Sequence, residues 1–126
     1  MIRDELFEQD FYKELSEKLK KDAEKLSELG YSINDDSIKK LSLSAKNTEI
    51  TKEQDTACKT ILNSLKTNIN LNNKSIEFLG NYKNPTDDDK EYIKIQTKLL
   101  KQNTNQLEKM FKMLNNSYTE YLKDVS

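Results

Sequence analysis

Histidine and tryptophan are absent from this chain of 126 residues, and cysteine, proline and glycine are nearly so, with one, one and two copies. Each gap excludes something. Without histidine the commonest general base near neutral pH and the commonest transition-metal ligand are gone, so catalysis would fall to carboxylates, lysines or Cys58. Two glycines cannot build a phosphate-cradling loop, and both stand where helices should stop. A lone cysteine forms no internal disulfide, which suits a reducing compartment. The single arginine, Arg3, and the balance of 21 basic against 22 acidic side chains argue against a nucleic-acid reader, which carries a basic excess.

Long apolar runs are missing as well. No window approaches the roughly 18 to 20 apolar residues of a membrane span, and MIRDELFEQD lacks the apolar core of a signal peptide. A cytoplasmic protein is expected, with export through a leader outside this sequence as the alternative. Cys58 has no basic neighbour on its stripe and reads as a buried thiol. Asp87, Asp88, Asp89 and Glu91 lack the spacing of a calcium loop, so they read as charges at a helix start. No enzymatic activity, cofactor or metal is therefore expected.

What the chain does have is lysine, asparagine and helical periodicity. Lysine supplies all but one of the basic residues, a usage expected of an AT-rich bacterial or phage genome. With a third of the residues apolar and a third charged, each helix can bury only a stripe. Phe7, Phe11, Leu15, Leu19, Leu26 and Leu29 mark a first helix from Asp4 to a Gly30 cap, with Ala23 filling the gap in the stripe at Asp22. Asp35 and Asp36 stand among the candidate caps of a short helix carrying Ile38, Leu41 and Ala45.

Thr51-Lys52-Glu53-Gln54 has the form of a capping box. It opens a helix with a heptad-like seam of Cys58, Leu62, Leu65, Ile69, Asn72, Ile76 and Leu79, ended by Gly80. Asn72 either fixes the register of that seam or faces solvent. After Asn84-Pro85-Thr86, with Asn84 or Thr86 as cap and the proline in the first turn, a final helix spans about Thr86 to Asp124. Its seam runs through Ile93, Thr97, Leu100, Thr104, Leu107, Phe111, Leu114, Tyr118, Tyr121 and Val125.

The expected fold is all-α: one domain over residues 1–126, an elongated antiparallel bundle of three long helices plus one short helix. At roughly 57 Å against roughly 40 Å for the other long helices, the last one could outrun its neighbours. Its terminal stretch, with Met110, Met113, Tyr118, Tyr121, Leu122 and Val125, is then the expected protein-binding face; otherwise it completes the core with Phe7, Phe11 and Tyr12. The function expected on this basis is that of a helical adaptor or chaperone-like module that binds another protein. The alternatives are an inhibitor or immunity protein whose acidic patches (Asp35–Asp36, Asp87–Asp89) occupy a target, a surface helical protein, and a coiled coil that pairs with its own copy as a homodimer.

Overall fold

The computed structural model describes every residue from Met1 to Ser126 and contains five helices and no strand. They are α1 (Ile2–Phe7), α2 (Asp10–Leu29), α3 (Asp35–Lys46), α4 (Lys52–Gly80) and α5 (Asp87–Val125). The all-α expectation holds, with two short helices in place of one. The first amphipathic stretch is broken at Glu8 and Gln9, where Gln9 turns to an extended backbone with ψ 140°. Helical geometry accounts for the break. In one continuous helix Ile2 and Leu6 would point away from the Phe11, Leu15 and Leu26 stripe, whereas a redirected α1 buries both.

Local signals set most helix ends. Gly30 takes the left-handed conformation at φ 86°, with Tyr31 N–H bonded to the Leu26 carbonyl and Gly30 N–H to that of Ser27, a Schellman stop. Tyr31 packs back onto the core. Thr51 and Gln54 form the expected capping box, and Thr86 and Asp89 form a second one. Of the candidate caps before α3 it is Asn34 that serves, accepting from Ser37 N–H at 2.8 Å. Two details differ from expectation. Gly80 stays helical and Asn81 ends α4. Pro85 precedes the cap of α5 instead of entering its first turn.

The long helices run up, down and up. α2 packs on α4, α4 on α5, and the short α3 closes the remaining side against α5. α4 therefore needs two apolar faces. The predicted seam supplies buried Cys58, Leu65, Asn72 and Leu79, while Ala57, Ile61, Ser64, Leu71 and Ser75 form a second buried arc beside it. The main core gathers Leu26, Ile38, Leu41, Cys58, Ile61, Leu65, Leu107, Leu114 and Tyr118 at the end of the bundle where α4 begins and α5 finishes. In the α2 stripe it is Asp22, half-buried, that fills the expected gap, and Ala23 is exposed. Burial raises the Asp22 pKa against the pull of Lys25 and Lys18.

Register along α4 and α5 is fixed by polar pairing inside the seam. Asn72, 5% exposed, donates from Nδ2 to Asn103 Oδ1 at 2.8 Å and to Thr104 Oγ1 at 3.2 Å. Thr104 passes its own proton to the Leu100 carbonyl. With Asn72 opposite Thr104, the end of α4 at Gly80 lies level with about Gln96, so the first two turns of α5 project past it. The overhang is thus at the start of α5, and α1 covers its inner side.

Substituting Asn72 by alanine removes the donor that ties exposed Asn103 and buried Thr104 to α4. Stability should fall by about 1 to 3 kcal/mol in urea unfolding. An unchanged midpoint would mean that this pairing does not hold the register.

Candidate functional site

The residues expected to form an uncovered terminal face of α5 divide into three groups. Tyr118 is buried in the core, and Met110 and Tyr121 are half-buried against it. Met113, Leu122 and Val125 stay exposed, at 46%, 42% and 57%. The cause is register: Asp55, near the start of α4, meets Tyr118, so only about the last turn of α5 runs past its neighbour. Nor is the core at this end completed by Phe7, Phe11 and Tyr12. Those three cluster at the opposite end, where the Phe7 and Tyr12 rings meet tilted at 37° with centroids 4.9 Å apart and Phe11 meets Tyr12 edge-on.

At the foot of the bundle Tyr118 donates a hydrogen bond to Asp55 Oδ1, while Lys59 Nζ lies 3.0 Å from Oδ2. The Asp55 pKa is lowered chiefly because Tyr118 donates to its charged form. Burial, then the Asp55 bond, raises the Tyr118 phenol above its ordinary range. Cys58, fully buried one turn further along α4, is pushed up to about 12 by burial and by the Asp55 charge. A thiol so placed is not a nucleophile at neutral pH.

The acidic runs lie in first turns of helices, Asp87 to Asp89 at α5 and Asp35 with Asp36 at α3, where negative charge meets the positive end of the dipole. No three carboxylates or thiols converge as a metal-binding group would require. No helix is long and apolar enough to cross a membrane.

Sequence reasoning missed the outer face of α5. Ile95 and Leu99, 47% and 51% exposed, lie at i and i+4, and Met113 returns to the same side opposite the buried line of Thr104, Leu107 and Leu114. Exposed Gln102 and Gln106 continue this strip, and exposed Lys109 lies between Gln106 and Met113. Along one edge stand the exposed lysines Lys94, Lys98, Lys101 and Lys112, none of them in an ion pair. Their spacing was legible in the sequence. It stayed hidden because the inner seam of the same helix has the stronger period.

Compared with protein families, curated proteins and solved structures, the chain matches none of them.

Two measurements bear on the foot of the bundle. Tyr118→Phe should cost about 1 to 2 kcal/mol at pH 7, since the bond lost is to a carboxylate. Asp55 is depressed in the folded state, so its contribution is complete above about pH 4 and is lost as pH falls through the folded value. Tyr118 is raised, so its contribution is complete below about pH 10 and is lost above it. The gap between wild type and variant should therefore be flat from about pH 5 to 9 and narrow on both sides; a gap independent of pH over the whole range would remove the Asp55 bond as its cause. For Cys58, thiol labelling should follow the unfolded fraction in urea, and rapid labelling of the native protein would contradict its burial.

Proposed function

We propose that the protein is a non-enzymatic binding module that seats an amphipathic segment of another protein along the outer face of α5. The observation that carries this reading is the set of exposed Ile95, Leu99 and Met113 on one side of α5, beside a row in which lysines outnumber acidic residues. Isolated exposed apolar residues are ordinary, but several on one helix face beside a row of Lys94, Lys98, Lys101 and Lys112, with Glu91 and Glu108 among them, form a surface suited to an apolar helix with a mainly acidic flank. Met113 belongs to the face expected from sequence. Leu122 and Val125 form a smaller apolar tip at the end of the same helix. The inhibitor reading leans on the acidic patches, of which Asp89 closes the capping box of α5 while Asp35, Asp36, Asp87 and Asp88 stay exposed in first turns.

Binding of this kind combines apolar burial with screened attraction to the lysine row, so the complex should weaken moderately with salt without dissolving. The test is affinity capture from native-host lysate with wild type and with Ile95→Ser/Leu99→Ser. Because both residues are exposed, the double variant should fold with stability within about 0.5 kcal/mol of wild type. A protein retained by wild type and by Leu43→Ser on α3, but lost by the double variant, fits the proposal. Equal retention by all three would remove α5 as the binding face, and light scattering that showed a dimer abolished by the double variant would assign the face to a second copy.

A further inference from the structure

Where α1 meets the second half of α4 and the projecting start of α5, packing leaves a cavity of about 300 Å³. A groove of about 630 Å³ over Phe11, Phe78 and Tyr82 is larger, but it is more open, and Lys74, Glu77 and Glu5 give its rim both signs of charge. The smaller cavity has a defined polarity. Its depth holds Ser75, 2% exposed, and Asn72. Asn72 has spent its amide nitrogen on Asn103 and Thr104, which leaves its carbonyl oxygen without a donor, and no protein group bonds the Ser75 hydroxyl. The Ser75 hydroxyl and the Asn72 carbonyl, three residues apart on α4 and both on residues that line the cavity, can donate and accept together, which matches a ligand hydroxyl.

The middle of the cavity is apolar, walled by Leu6, Leu71 and Leu100. At the mouth stands Arg3, the only guanidinium of the chain, over the exposed Phe7 ring at 5.7 Å from its centroid. No carboxylate pairs with it. Burial raises the pKa of the Tyr92 hydroxyl across the cavity, and the Arg3 charge pulls it the other way. Arg3 is the only charged group lining the space.

We propose that this cavity is a binding site for a small aromatic acid carrying a hydroxyl at the end remote from its carboxylate. The carboxylate pairs with Arg3, whose planar donors suit it. The ring lies between Leu6, Leu71 and Leu100, and the hydroxyl reaches Ser75 and the Asn72 carbonyl. Pockets that bind small molecules show this plan of apolar walls with a few convergent polar groups, and about 300 Å³ is at the small end of their range. The site lies on the inner side of α5 and does not depend on the partner face of Ile95 and Leu99.

Titration with 4-hydroxybenzoate, followed by amide chemical shifts, tests it, with benzoate and phenol as probes lacking one end each. The expected perturbations centre on Leu6, Leu71, Ser75 and Leu100, with benzoate and phenol each weaker by about tenfold, as expected for a lost directional bond. Arg3→Gln should bring 4-hydroxybenzoate down to the affinity of phenol and leave phenol unchanged. Ser75→Ala, a substitution the helix accepts, should bring it down to that of benzoate. Absence of shifts at millimolar probe, shifts centred elsewhere, or an affinity unchanged by both substitutions would overturn the assignment.

Discussion

A helix packed on two sides must be apolar on two sides, and in this protein that requirement falls on α4. Its seam of Cys58, Leu65, Asn72 and Leu79 and its second arc of Ala57, Ile61, Ser64, Leu71 and Ser75 are both buried. Small side chains at many of these positions let two neighbours approach one helix closely. The surrounding helices are amphipathic in the ordinary single-stripe sense, and their charged faces remain in water. Only two ion pairs form, both within single helices, so the many charges serve solvation far more than cohesion.

Polar groups inside the α4–α5 seam decide where that packing stops sliding. An all-apolar heptad seam tolerates a shift by one repeat at modest cost, whereas a shift here would leave the buried Asn72 amide without Asn103 and Thr104. The Tyr118 to Asp55 bond at the other end fixes the same register independently. One geometric consequence follows from both. α5 is ten residues longer than α4, and nearly all of the excess is displaced to the start of α5, where α1 folds in beneath it. The cavity at that junction is a product of this displacement.

The break between α1 and α2 belongs to the same economy of apolar surface. Ile2 and Leu6 are out of phase with the α2 stripe, and a short turn at Glu8 and Gln9 lets both be buried, Leu6 in the pocket it shares with Leu71 of α4 and Tyr92 and Leu100 of α5. Without α1 the projecting end of α5 would present its inner face to water. Phe7, carried to the outside by the same turn, becomes the platform over which Arg3 lies.

Local information in the sequence determined the helical class, four of the five helices to within a few residues at most of their ends, the Thr51 and Thr86 caps, the Gly30 stop and the inward seams of α4 and α5. These depend on spacing and on hydrogen bonds between residues three or four apart, which a linear reading contains. Tertiary structure alone decided the rest. Whether Asn72 fixed register or faced solvent, whether Tyr118 was core or surface, and at which end α5 projected all depend on how far one helix slides along another. That displacement is set by side chains some thirty to sixty positions apart. The second buried arc of α4 and the pocket beside Ser75 were hidden for the same reason: a helix carries its own period in its sequence, but the number of neighbours it will meet is a property of the assembled bundle.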